Sequence, residues 1–276
     1  MSADSDHIIV TKDLIKIYRK GTIEVTALRG VNLHVKRGEL LGIIGASGSG
    51  KSTLMNLIGG ISTPSAGSVV VDGEEISTYN QRQLAEYRRH KVGFMWQISN
   101  LLPDLNVIDN IKLTMYAAGK FKRHEVHERA EKLLADVDVL KRAKHRIYQV
   151  SGGELQRASL ALALANDPDI LLADEPTGEL DSETSVMIME LLKELNQKYN
   201  KTTIIVTHDP SVASECESVV TIKDGVILQR TLKASTEYLN IDVEGRLEIP
   251  EELKPVFASK KVKISQIRDG EIRLKV

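Results

Sequence analysis

The sequence predicts an α/β fold: buried strands alternating with helices, an antiparallel β subdomain, a helical insert and a small β-rich C-terminal extension. Three observations carry this. The apolar run Leu40-Leu41-Gly42-Ile43-Ile44 leads through a glycine-rich loop into a helical pattern with Leu54 and Ile58 on one face. Two later apolar runs, from Ile170 and from Thr203, end in polar side chains at Asp174, Glu175 and His208. Between the first and second runs the spacing turns helical, with Val126, Ala130, Leu133, Leu134 and Val137 at i, i+4, i+7, i+8 and i+11.

The 276 residues leave room for one large domain or two modest ones. A net charge of −1 argues against general adhesion to nucleic acid. A single cysteine, Cys216, excludes a disulfide framework and points to a reducing compartment. The acidic, polar start (Met1-Ser2-Ala3-Asp4-Ser5-Asp6) is wrong for a signal peptide. The longest apolar run, Leu160 to Ala165, is too short to span a bilayer. The expectation is a soluble chain that reaches a membrane only through a partner.

In chain order, Ile8-Ile9-Val10 and the alternating Val31-Asn32-Leu33-His34-Val35 read as strands. Tyr18 lies between them, either as a half-buried strand tyrosine or as a ring for a purine to stack on. Next, Gly45-Ala46-Ser47-Gly48-Ser49-Gly50-Lys51-Ser52 matches G-x-x-x-x-G-K-[ST] at every fixed position. Glycines let successive backbone N–H groups curl around an anion, and the helix beginning near Thr53 adds its partial positive charge. Lys51 is expected to reach the β- and γ-phosphates of a nucleoside triphosphate, and the Ser52 hydroxyl to ligate Mg²⁺. The bland alternative is a flexible Gly/Ser turn with an exposed lysine.

Residues 68–76 read as a hairpin turning at Asp72-Gly73. From Gln81 to about Asp138 the pattern is mostly helical. Lys141-Arg142-Ala143-Lys144-His145-Arg146 reads as a solvated basic face. Ser151 and Glu154 stand at capping-box spacing, and Gly152 and Gly153 between them leave that helix start bare enough for an anion. An ordinary cap explains the Ser and Glu but not the glycine pair. Asp174 and Glu175 are adjacent at a strand end, so one can face Mg²⁺ while the other faces an attacking water. His208 ends another buried strand, at the edge where open α/β sheets bind ligands. Ser218 to Arg230 reads as a hairpin around Asp224-Gly225.

Together these residues resemble the nucleotide-binding subunit of an ABC transporter over roughly residues 7–230. Five motifs in order support this: the phosphate loop, Gln97, Ser151 to Glu154, Asp174-Glu175 and His208. Gly93-Phe94-Met95-Trp96-Gln97, Asn100-Leu101-Leu102-Pro103, Asn106 to Asn110 and Ala173 to Gly178 resemble the MacB/LolD group in particular. The resemblance implies a P-loop NTPase (RecA-like) core with ATP and Mg²⁺ as cofactors. It implies Glu175 as general base, Asp174 behind Mg²⁺, Gln97 on Mg²⁺ and water, His208 on the γ-phosphate and Tyr18 on adenine. It implies that Ser151 to Glu154 bind ATP held by an opposite subunit, with Asp181 at that interface. The implied partners are a second copy in the ATP state and a transmembrane permease of the MacB/FtsX type. The implied place is the cytoplasmic, inner face of the cell membrane; nucleic acid is not an expected partner.

Four positions depart from the pattern: Val150 for leucine, Leu155 for glutamine, Leu162 for arginine and Glu179 for asparagine. Glu179 puts an extra negative charge near a triphosphate, which is expected to weaken dimerisation or slow turnover. The expected domains are an ATP-binding domain over 1–230, with the helical insert at about 80–160, and a small β-rich module over 231–276. The latter reads as strand–turn–strand over Tyr238 to Ile249, a helix from Pro250, and a hairpin around Asp269-Gly270. It is similar to AbrB-type swapped-hairpin modules, which dimerise and often bind DNA. Its nine Lys and Arg against eight Asp and Glu favour a dimer-stabilising or regulatory use. The rival readings are a soluble regulatory ABC ATPase with a DNA-binding or dimerising tail, and a small-molecule P-loop kinase, which leaves Ser-Gly-Gly-Glu unexplained.

Overall fold

Two long strands, β1 (His7–Lys20) and β2 (Ile23–Lys36), open the chain as an antiparallel pair. The computed structural model describes residues 6–21, 23–232, 263–268 and 271–275. It divides into two units, Met1–Lys233 and Ala234–Val276. In the first unit there follow β3 (Leu40–Ile44), α1 (Lys51–Ile58), β4 (Ala66–Val71), β5 (Glu74–Glu75), α2 (Gln81–Lys91) and β6 (Val92–Met95). Then come α3 (Val107–Ala118), α4 (Arg123–Asp136), α5 (Gly152–Ala163), β7 (Ile170–Asp174), α6 (Ser182–Tyr199), β8 (Thr202–Thr207) and α7 (Pro210–Ser214). A final hairpin, β9 (Ser218–Lys223) and β10 (Val226–Leu232), closes the unit.

The strands form two sheets. One is antiparallel, in the order β2-β1-β4-β5; the other runs β10-β9-β3-β8-β7-β6, parallel except for its β10 edge. β3, β7 and β8 lie inside the second sheet and are buried nearly throughout, as strands covered on both faces must be. One core cluster joins Leu54, Met55 and Ile58 of α1 to Ile9, Leu14 and Leu33 of the antiparallel sheet and to Ile43, Leu172 and Ile204. Another joins Ile111, Leu134 and Leu160 of the helical region to Leu171, Ala173 and Ile205. The parallel sheet is thus the wall between two cores. The carboxyl ends of β3, β7 and β8 all point toward the segments that carry the motifs.

The stretch from Gln81 to about Asp138 is mostly helical, as its pattern reads, but it also holds a strand that the pattern does not show: Val92–Met95 turns back into the parallel sheet as its edge strand beside β7. A four-residue apolar run does not by itself distinguish a strand from a buried helical turn. Gly93 is what lets it lie there, since a Cβ at that position would stand 2.1 Å from the Ala163 carbonyl oxygen of α5. The helical arm proper therefore begins at α3. β1 is also longer than Ile8 to Val10, because β2 and β4 pair with it on either side.

In the second unit β11 (Lys263–Arg268) and β12 (Glu271–Lys275) form an antiparallel pair. The strands read over Tyr238 to Ile249, the helix from Pro250 and the Asp269-Gly270 turn lie outside the described residues, as does the start Met1 to Ser5.

Candidate functional site

The phosphate loop is shaped by what its glycines avoid. A Cβ on Gly45 would stand 2.2 Å from the Ile222 carbonyl oxygen, and one on Gly50, whose φ is +107°, 2.6 Å from that of Ala27. Gly50 is the N-cap of α1, with no side-chain cap and no acidic residue in the first turn. The end of α1 thus keeps its N–H groups and partial positive charge for an anion. Lys51 curls back over the loop, its Nζ donating to the carbonyls of Gly45 (2.8 Å) and Ala46 (3.1 Å). The β9–β10 turn braces the loop from behind: Gly225 N–H donates to the Ser49 carbonyl at 3.0 Å.

A cleft of about 770 Å³ opens over this loop, lined by Gly45, Ala46, Ser47, Gly48, Lys51, Ser52, Gln97, Asp174, Glu175 and His208. Ser52 Oγ lies 3.4 Å from Asp174 Oδ1. Burial raises the Asp174 carboxyl above its ordinary value and neighbouring Glu175 adds to this, while Ser52 and Lys51 act against it. A cation between Ser52 and Asp174 would relieve that burden. Among the described residues no group of three or more His, Cys, Asp or Glu could cage a metal unaided. A hydroxyl, a carboxylate and an amide oxygen beside a phosphate cradle instead suit a hard cation that takes its remaining ligands from phosphate and water.

Glu175 sits in the left-handed region at φ 45°, a strained setting for a residue with a side chain. Both its carboxylate oxygens are engaged. His208 Nδ1 is 2.8 Å from Oε1, and Thr207 Oγ1 donates to Oε2 at 3.1 Å. The direction of the second bond is fixed, because an ionised carboxylate only accepts; Thr207 Oγ1 in turn accepts from Asp209 N–H at 3.0 Å. The Gln97 amide lies alongside, since a Cβ on Gly178 would be 3.4 Å from Glu175 Cβ and 3.5 Å from Gln97 Nε2.

Ser151 to Glu154 form a second group, outside that cleft. Ser151 caps α5: its Oγ accepts from Glu154 N–H at 3.3 Å, while Glu154 Oε2 accepts from Ser151 N–H at 2.8 Å. Asp181 belongs with this group. It caps α6, its carboxylate accepting from Thr184 N–H at 2.9 Å and Thr184 Oγ1 at 2.8 Å, and those bonds hold its carboxyl below the ordinary range. A Cβ on Gly153 would meet Thr184 Cγ2 at 2.8 Å, so the starts of α5 and α6 abut. Tyr18 stands apart on β1, 43% exposed, with Lys16 Nζ 5.2 Å from its ring centre.

Sequence reasoning passed over Thr207, Gly225, Arg142 and Gln156. Thr207 stood beside His208 at a strand end and was legible there as a group aimed at the same edge. Gln156 Nε2 donates to the buried Pro176 carbonyl at 2.8 Å, tying α5 to the segment after Glu175. Nothing in a sequence announces such a bond.

The family described as "ABC transporter" matches residues 28–178. The chain is 39% identical over 223 residues to the lipoprotein-releasing system ATP-binding protein LolD of Idiomarina loihiensis, covering 81% of this chain and 97% of that protein. It is 44% identical over 230 residues to the macrolide export ATP-binding/permease protein MacB of Vibrio parahaemolyticus, covering 83% of this chain and 35% of the other. It thus spans about a third of the length of that relative. Its structure superposes on the dimeric ABC transporter cassette MJ0796 with a TM-score of 0.75 at 40% identity, over 81% of this chain and 98% of the cassette.

Proposed function

The chain belongs to the ABC transporter family, and from that premise we propose that two copies bind and hydrolyse ATP to drive a separate transmembrane permease. The observation that carries this is the convergence in one cleft of the phosphate loop, the Ser52–Asp174 pair, Gln97 and a doubly held Glu175. The loop N–H groups and Lys51 bind the β- and γ-phosphates, Lys51 exchanging two carbonyls for phosphate oxygens. Ser52, Asp174 and Gln97 hold Mg²⁺, which when bound neutralises charge on the transferred phosphoryl group. Glu175 takes a proton from the attacking water as its oxygen bonds to the γ-phosphorus. The bond to the bridging oxygen breaks and ADP leaves. His208 turns from Glu175 to the γ-phosphate, and Tyr18 stacks on adenine.

Ser151 to Glu154 and Asp181, which lie outside the cleft, serve the ATP of the opposite copy. The permease docks in a groove of about 390 Å³ whose walls include Phe94, Trp96, Leu113 and Leu162. Phe94 and Trp96 stack there, rings parallel within 3°. No helix among the described residues is long and apolar enough to cross a membrane. In this reading a permease of the MacB/FtsX type is the partner that holds the pair at the inner face of the cell membrane. Residues 231–276 act as an AbrB-like module that stabilises or regulates the pair.

Phosphate release by the purified chain tests the chemistry. It is expected to require Mg²⁺ and to vanish with ATP binding in Lys51→Ala. Glu175→Gln is expected to keep ATP binding and lose about 100-fold or more in turnover. Parent-level hydrolysis by Glu175→Gln would exclude Glu175 as the base.

A further inference from the structure

The start of α5 poses an electrostatic problem. If it receives the γ-phosphate of ATP from the opposite copy, Glu154 places a carboxylate one turn from a triphosphate. A carboxylate only accepts hydrogen bonds and so does a phosphate oxygen, so the two cannot bond and repel at short range. The structure holds an answer within a run of residues that reads in sequence as a solvated basic face. Arg142 Nε donates to Glu154 Oε1 at 2.8 Å, while Oε2 is taken by the Ser151 N–H. Both carboxylate oxygens are thereby turned away from phosphate duty. The Arg142 bond first, and the Ser151 N–H second, hold the Glu154 carboxyl down at about 2.

Arg142 is itself held in place. It ends a 3-10 turn, Leu140–Arg142, and the backbone just beyond is pinned to the start of α3. Ile108 N–H donates to the Ala143 carbonyl at 2.9 Å and Val107 N–H to that of His145 at 3.0 Å. The guanidinium therefore approaches Glu154 from a fixed base. At 43% exposed, its side chain still faces solvent.

We infer that Arg142 is a positioning residue of the ATP site: it neutralises Glu154 and fixes it in the capping box of α5, so that Gly152 and Gly153 offer the incoming phosphate bare N–H groups without a facing negative charge. Glu154 thus serves α5 and not the nucleotide, a narrower role than direct ATP binding. The inference rests on the two-copy reading above.

The test is a double-mutant cycle in the Glu175→Gln protein, reading by light scattering the ATP concentration for half-maximal dimerisation. Arg142→Ala is expected to raise that concentration about tenfold, the worth of one charge-assisted bond. Arg142→Lys is expected to recover part of the loss. Glu154→Gln keeps a capping acceptor without the charge. Adding Arg142→Ala to it is expected to shift that concentration less than twofold. An equal shift in both backgrounds would make Arg142 a packing residue only, and no shift in either would give it no role; each overturns the inference. A Glu175→Gln parent that stays monomeric with ATP overturns the two-copy reading itself, and the inference with it. Thermal melting of each variant identifies any that are misfolded, and Arg142→Gln then replaces Arg142→Ala in the same cycle.

Discussion

Glu175 is the residue on which the chemistry turns, and its geometry is set by a threonine. Thr207 gives its one hydroxyl hydrogen to Glu175 Oε2, and the Asp209 N–H donates to the same hydroxyl oxygen. Thr207→Val, nearly the same shape without the donor, is expected to lower kcat about tenfold while leaving KM for ATP within a factor of two. Thr207→Ser should restore most of the rate, and an unchanged kcat in the valine variant would remove Thr207 from the mechanism. Glu154 gives a second prediction, in pH. Its folded value of about 2 lies below the ordinary 4.5, so its contribution to stability is full above 4.5 and fades as pH falls toward 2. Urea unfolding should show parent and Glu154→Gln differing by a constant amount above pH 5, with the gap closing on acidification. The motif residues were legible because phosphate chemistry fixes their spacing along the chain. Thr207 was legible as a strand-end group beside His208, but its bond to Glu175, like that of Arg142 to Glu154, was not, because the partners lie 32 and 12 residues apart and only folding brings each pair together.

Elements were legible where their length and flanks agreed. α5 announced itself through Ser151 and Glu154 at capping-box spacing, and the box is formed as those residues suggest. β6 was hidden because four apolar residues between two helices carry no period, and its place depends on Gly93 fitting beneath α5. Gly93→Ala drives a methyl toward the Ala163 carbonyl at 2.1 Å. It is expected to destabilise the first unit by about 1–3 kcal/mol in urea unfolding; an unchanged midpoint would show that β6 is loosely held. The segment joining β7 to α6 carries a different kind of signal. Glu179 is exposed there, two residues before the Asp181 cap. With a triphosphate facing that loop, Glu179→Asn removes a like charge. The ATPase rate is expected to rise about two- to threefold, and an unchanged or lower rate would contradict this.

At the scale of the molecule, one parallel sheet separates two cores and brings three strand ends to a single edge. The phosphate loop, Ser52, Gln97, Asp174, Glu175 and His208 meet there, whereas Ser151 to Glu154 and Asp181 gather at the abutting starts of α5 and α6. Under the proposed reading each group is half of a phosphate site, and pairing of two copies completes it. That the five motifs belong to one fold was readable from their order. That they fall into two groups followed from the family resemblance and not from the spacing of the residues, because the division lies in three dimensions. In the proposed cycle ATP itself joins the copies. The most direct measurement is the mass in solution of Glu175→Gln, by light scattering, without ATP and then with ATP and Mg²⁺. Glu175→Gln is expected to be a monomer that becomes a dimer when ATP is added and returns to monomer when ATP is removed. A monomer at every ATP concentration, with nucleotide demonstrably bound, would contradict it.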